Sequence, residues 1–162
     1  MYRKVRYTGY PAKLGLVPGE FANLGLRLSQ KNRDDIMDEK LAVEYFASYA
    51  KCYDTFDVVS LAKYYFAPTL MVKNGSVLAL STVEEIFEHL KSLLASYKEH
   101  GYKRGNLAGI VVNPMGAWSA AVTVHWIIDH VDGSVLRDFY TTYNLFREDG
   151  VWKILVTTNH EE

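Results

Sequence analysis

Two Asp-Gly pairs, Asp132-Gly133 and Asp149-Gly150, constrain this chain more than any other feature. Each stands between long runs rich in Val, Ile, Thr, Trp, Tyr and Phe, the side chains that fit a pleated surface. Asp and Gly tolerate the positive φ angles of a tight turn, so an Asp-Gly pair in that setting marks a β-hairpin. The runs Trp118 to Val131, Val135 to Arg147 and Val151 to Asn159 therefore read as three consecutive antiparallel strands. They are about twice the usual strand length. Strands that long bend, and a helix laid on the concave side leaves a pocket.

The residues upstream supply the helices. A first helix is expected from about Asp35 to Tyr53, with Asp34, Asp35, Asp38 and Glu39 placing negative charge at its N-terminus. Leu41, Tyr45, Tyr49 and Cys52 recur at helical spacing and form its apolar stripe, flanked by Ala42, Phe46 and Tyr53. A second helix is expected from Asp57 to Phe66, stopped by Pro68. Thr69 to Lys73 and Ser76 to Leu80 make a short hairpin around Asn74-Gly75. Ser81 with Glu84, and Thr82 with Glu85, are overlapping capping boxes that open a third helix ended by Gly101. A strand from Tyr102 to Val112 then leads through Pro114-Met115-Gly116 into the long hairpins. Helices gathered on one face of a bent antiparallel sheet define an α+β domain.

Turn lengths set the register. A two-residue turn at Asp132-Gly133 puts Trp126 opposite Phe139 and Val122 opposite Tyr143. A three-residue loop at Glu148-Asp149-Gly150 puts Tyr143 opposite Leu155 and Phe139 opposite Asn159. One face then carries Trp126, Arg137, Phe139, Thr141, Tyr143, Leu155, Thr157 and Asn159. The other carries His125, Ile127, Asp138, Phe146, Trp152, Ile154, Val156 and His160. Shortening the second loop by one residue swaps the faces of the last strand. Both faces hold large apolar groups, so both need cover. The helices cover one. A second copy of the chain is the simplest cover for Ile127, Phe146, Trp152, Ile154 and Val156, which predicts a homodimer.

Composition sets outer bounds. A chain of 162 residues, 49% hydrophobic and 23% charged, is expected to form one folded domain. A net charge of −1 gives no reason to expect nucleic acid or an anionic membrane as partner. No apolar run approaches the ~18 residues of a membrane span. The single cysteine, Cys52, excludes an internal disulfide framework and fits a cytoplasmic location. Residues 1–36 hold seven Lys/Arg against three Asp/Glu, and four of the eleven glycines. They are expected to be an N-terminal extension, flexible or loosely docked, beside a domain spanning 37–162.

The order of these pieces resembles the nuclear transport factor 2-like superfamily, in its SnoaL-like branch. VEYFASYAKCYDTFD resembles the family's first helix, YYFAPTLMVKNGSV its short strand, STVEEIFEHL its capped third helix, and NLFREDGVWKILVTTNHEE its closing hairpin. The resemblance covers Leu41 to His160. It implies a cone-shaped α+β barrel whose sheet wraps a long helix, often dimeric through the outer sheet face. It also implies where catalytic carboxylates stand in enzymes of the family. Here those positions hold Lys73, with Asn74 next, and about Asn159, so neither supplies a general base. The family's hydrogen-bonding tyrosine on the first helix matches Tyr45 or Tyr49.

The expected pocket residues are accordingly Tyr45, Tyr49, Lys73, Trp126, Phe139, Thr141, Tyr143, Thr157 and Asn159, apolar walls with a few polar groups. The expected ligand is a small apolar or aromatic molecule, with no cofactor and no metal. Arg137 could reach the pocket mouth or pair with Asp138 or Asp129. Asp138 and His160 fall on the outer face, and the spacing of His125, His130 and His160 offers no metal set. Binding without an assignable catalytic carboxylate is the first expectation. The alternatives are a lyase or isomerase acting on a polyketide- or terpenoid-like substrate, and a non-catalytic assembly dimer.

Overall fold

The computed structural model describes residues 36–160. The expected extension, except Ile36, lies outside them. Met37 is fully buried, and Asp38 caps the first helix by accepting a hydrogen bond from the Leu41 N–H at 2.8 Å. This helix, α1, runs Glu39–Asp54, four residues shorter at its start than the acidic run implied. A five-residue helix α2, Val58–Ala62, follows. Next come β1 (Tyr65–Lys73), β2 (Ser76–Leu80), α3 (Val83–Glu99), β3 (Tyr102–Pro114), β4 (Ser119–His130), β5 (Val135–Glu148) and β6 (Val151–His160).

The six strands form one curved, unclosed sheet in the order β2-β1-β6-β5-β4-β3. All neighbours are antiparallel except β1 and β6, which pair in parallel. The chain thus returns its last strand beside its first. α1 packs against β3, and α3 packs against α2, β1, β2 and β3. The core between helices and sheet is built on Phe46, Leu61, Ile86, Leu90, Val122, Val124, Leu145 and Ile154, all at most 2% exposed. α3 opens on Thr82, whose hydroxyl accepts from the Glu85 N–H, while the Glu85 carboxylate accepts from the Ser81 N–H at 2.6 Å. Of the two overlapping capping boxes, the second is the one used, with the return bond one residue early.

Two expectations are corrected. The second helix does not reach Phe66, because Tyr65 to Pro68 already belong to β1. Tyr65 pairs with Ile154, and the pairing shifts before Leu70 meets Val156. Pro68, which has no N–H to give a ladder, falls inside that irregular stretch. Tyr64 to Ala67 is a continuous apolar run, which reads equally as helix or strand.

The second correction concerns the hairpins, whose loop lengths are the reverse of those expected. At the β5–β6 turn Glu148 pairs directly with Val151, and Asp149 and Gly150 both have positive φ, 48° and 85°. That is a two-residue type I′ turn. At the β4–β5 turn the His130 N–H donates to Ser134 O, and only Gly133 within the loop has positive φ, which makes a three-residue loop. Each strand pair then carries a bulge. Leu136 is the extra residue in β5, and beyond it Trp126 faces Phe139 and Val122 faces Tyr143, as expected. Leu155 is the extra residue in β6: Leu145 pairs with Ile154, but Asn144 pairs with Val156.

The Leu155 bulge splits β6 between the two faces. Before it, Trp152 and Ile154 point into the core, 7% and 0% exposed, so they leave the expected dimer surface. After it, Thr157 stands opposite Tyr143 and Asn159 opposite Thr141, back on the inner face. The carbonyl of Leu155 accepts the hydroxyl of Thr69, itself 1% exposed, at 3.0 Å. A bulge leaves polar backbone out of the ladder, and burial demands a partner for it. Thr69 on β1 supplies that partner.

Candidate functional site

The concave face of the sheet, α1 and α3 enclose a cavity of about 530 Å³. Tyr49 and Tyr53 enter it from α1, His89, Leu93 and Tyr97 from α3, and Tyr65, Met71 and Lys73 from β1. β4 and β5 contribute Trp126, Ile128, Arg137, Phe139, Thr141 and Tyr143, and β6 contributes Thr157 and Asn159. Of the residues expected from the sequence, eight surround this space: Tyr49, Lys73, Trp126, Phe139, Thr141, Tyr143, Thr157 and Asn159. Tyr45 does not. Its ring packs edge-on against Phe46 and Tyr64, away from the cavity. A turn of helix leaves Tyr45 and Tyr49 on one stripe but about 6 Å apart along α1, and only Tyr49 lies level with the cavity.

The inner end of the cavity is a hydrogen-bonded aromatic cluster. The Tyr49 hydroxyl bonds to those of Tyr65 at 2.7 Å and Tyr53 at 3.1 Å. The Trp126 indole N–H donates to the Tyr143 hydroxyl at 3.0 Å. Tyr49 meets Tyr143 edge to face, with centroids 5.8 Å apart. Burial drives the pKa of Tyr49, Tyr53, Tyr65 and Tyr143 well above the ordinary phenol value. These hydroxyls stay protonated across the physiological range, so they serve as neutral hydrogen-bonding groups and not as bases.

One carboxylate stands behind the wall. Asp54, the last residue of α1, accepts from the Tyr102 hydroxyl at 2.7 Å and from the Gly105 N–H at 3.0 Å. Burial first, and then this bond to Asp54, raise the Tyr102 pKa. A Cβ at Gly105 would come within 2.9 Å of the Tyr102 hydroxyl, so glycine keeps that contact open. Nothing in the sequence pairs Asp54 with β3, since 48 residues separate it from Tyr102.

The outer end is cationic. Arg137 lays its guanidinium over the Phe139 ring at 4.5 Å and donates to the Tyr97 hydroxyl at 3.2 Å. It does not pair with Asp138, which faces the other side of the sheet and bonds to His125 at 2.6 Å. His160 bonds to Thr142 on that outer face, so Asp138 and His160 form no dyad. Burial lowers the pKa of His89, which favours its neutral form beside the cavity. Among the described residues no three His, Cys, Asp or Glu side chains are grouped to hold a metal ion.

Tyr53, Tyr65, His89, Tyr97 and Tyr102 join this site without being expected there. Tyr53 and Tyr97 do fall on apolar helix stripes, four residues after Tyr49 and near the end of α3. Tyr65 lies in a continuous apolar run without alternation, which conceals the face it takes as part of β1.

A curved, unclosed sheet with helices on its concave side is the α+β architecture that the resemblance implied. A family profile described as NTF2-like protein (DUF6841) matches residues 38–162. The chain belongs to this NTF2-like family. Solved structures carry the same fold. An NTF2-like protein with a cystatin-like fold from Novosphingobium aromaticivorans is 15% identical, with 85% of this chain and 87% of that one covered and a TM-score of 0.62. A cystatin-like protein of unknown function from Nostoc punctiforme is 11% identical over 75% and 89%, with a TM-score of 0.62. A putative calcium/calmodulin dependent protein kinase II association domain from Xanthomonas campestris is 18% identical over 78% and 91%, with a TM-score of 0.56. Identities this low carry the fold of these solved structures and not their activities. No curated protein matches the chain. No described helix is long and apolar enough to cross a membrane.

Proposed function

We propose that this NTF2-like domain binds a small, largely apolar or aromatic molecule in its concave cavity, in the manner of the SnoaL-like branch. The supporting observation is a cavity of about 530 Å³ walled by aromatic rings and left open by the protein's own side chains. That volume is in the range of small-molecule sites, ~300–1,000 Å³. A cone kept only for scaffolding gains stability by filling such a space, since empty volume costs packing energy. Tyr49, Lys73, Trp126, Phe139, Thr141, Tyr143, Thr157 and Asn159 are the proposed ligand contacts. Leu93, half-buried on α3, faces the same space. Replacing it by Trp occupies the cavity. In ligand-observed NMR, indole and 2-naphthol are expected to bind the wild type, and Leu93→Trp to abolish binding with its melting temperature retained. Failure of both neutral compounds to bind the wild type defeats this reading.

A second reading rests on the tyrosine cluster. Protonated hydroxyls of Tyr49, Tyr65 and Tyr143 beside Trp126 are suited to polarise a carbonyl oxygen, as a lyase or isomerase of polyketide- or terpenoid-like substrates requires. Among the described residues no carboxylate lines the cavity to move the proton, and Asp54 is already engaged by Tyr102 and Gly105. Binding is therefore preferred.

We further propose a cytoplasmic homodimer through the outer sheet face. Ile127, Phe146 and Val156 remain there, each only partly buried within the chain, and Phe146 meets Phe66 edge to face at 5.7 Å. The Xanthomonas relative is described as an association domain, which accords with assembly as a further role of the fold. Sedimentation is expected to give a dimer for the wild type and a folded monomer for Ile127→Glu. A wild type that stays monomeric at high concentration overturns the dimer.

A further inference from the structure

Among the described residues, the walls of the cavity contain Lys73 and Arg137 but no Asp or Glu. We propose that the ligand is an acid: a flat apolar body carrying a carboxylate, with the carboxylate held at the rim by Arg137 and Lys73. This deepens the binding reading and rests on it.

Register places the cations together. Lys73 ends β1, where the preceding Val72 pairs with Thr158. Asn159 follows on β6 and pairs with Thr141 of β5, and β6 stops one residue later. Arg137 lies four residues before Thr141 on the same face of β5, beyond the end of β6. Lys73, Asn159 and Arg137 thus share one end of the sheet, while the tyrosine cluster lies deeper.

Hydrogen-bond accounting gives the sign of the ligand. The guanidinium of Arg137 is half-buried, and its partners are neutral: the Phe139 ring and the Tyr97 hydroxyl. No carboxylate of the described residues forms an ion pair with it. A partly desolvated cation without a counter-charge is costly, and an arginine fork matches a carboxylate in two parallel bonds. Tyr97, having accepted from Arg137, keeps its own O–H to donate. Thr141 donates to Asn159 Oδ1 at 3.0 Å, which leaves the Asn159 amide N–H groups to donate as well. Four donors stand at this end, and among the described residues no anionic acceptor answers them. The apolar body has Phe139, Met71, Leu93 and Trp126 to lie against.

The test compares acids with their esters. Dissociation constants of 2-naphthoate and 4-phenylbutyrate, and of the two methyl esters, are measured by calorimetry on the full chain. The acids are expected to bind at least about tenfold more tightly than the esters, the order of one charge-assisted hydrogen bond. Arg137→Gln is expected to remove that preference, and exposed Lys73→Gln to reduce it, each read as the ratio of acid to ester affinity. Rising salt is expected to weaken the acids and spare the esters. Equal affinity for acid and ester overturns the inference and leaves the binding reading standing. So does an acid preference that survives both substitutions. If neither form binds, both readings fall together.

Discussion

Ile154→Asp is expected to abolish folding. Ile154 is wholly buried in β6, paired with Leu145 on one side and Tyr65 on the other, and its N–H donates to Tyr64 O at 2.6 Å. An unpaired carboxylate at such a site costs several kcal/mol even after its pKa rises, against a total stability of about 5–15 kcal/mol. The gentler Ile154→Ala should cost about 2–5 kcal/mol, the usual range for emptying a core site. The contrast is with Val156, two residues on but beyond the bulge and on the outer face. Val156→Asp should keep a cooperative melting transition. Circular dichroism and thermal denaturation of the pair decide the matter. A folded Ile154→Asp protein would mean that β6 follows the turn lengths expected from the sequence, with Ile154 on the outer surface.

Phe46→Ala is expected to cost about 3–5 kcal/mol, the range for truncating a buried aromatic. Phe46 is 0% exposed at the middle of α1, and its ring lies 4.6 Å from that of Tyr143 and 6.3 Å from that of Trp126, centroid to centroid. It is therefore the side chain that seats α1 on the sheet behind the cavity. Its neighbour gives the opposite result. The Tyr45 hydroxyl is buried with no hydrogen-bond partner among the described residues, and burial raises its pKa. Tyr45→Phe removes an unsatisfied polar group and should be neutral or stabilising by up to about 1 kcal/mol. Denaturant midpoints of the two variants test both expectations. Destabilisation by Tyr45→Phe would show that the hydroxyl has a partner, such as bound water, and a loss under ~1 kcal/mol for Phe46→Ala would show that α1 packs differently.

The features legible in the sequence were those set by neighbours along the chain. Thr82 caps a helix through a residue three positions on, Asn74-Gly75 and Asp149-Gly150 close turns on themselves, and Tyr49 and Tyr53 lie on or beside one stripe at helical spacing. Such local chemistry, in order, carried the resemblance to the NTF2-like fold, and the eight expected residues that surround the cavity followed from that resemblance together with a register whose reversed turn lengths are offset by the bulges at Leu136 and Leu155. Arg137 was left between two readings because alternation along a strand puts it and Asp138 on opposite faces, while sequence distance puts them side by side.

Contacts across the fold settled the rest. The Leu155 bulge exists because β1 offers Thr69 to its carbonyl from 86 residues away, and that bulge sends Trp152 and Ile154 inward while returning Thr157 and Asn159 to the cavity. Asp54 reaches Tyr102 only when α1 lies on β3. A strand's faces alternate with a period of two, so a single extra residue reverses everything after it, and the energy that holds an extra residue in place comes from a partner strand. Turn residues report that a hairpin exists. Which of its side chains face the cavity is fixed by the buried backbone groups that must find partners elsewhere in the fold.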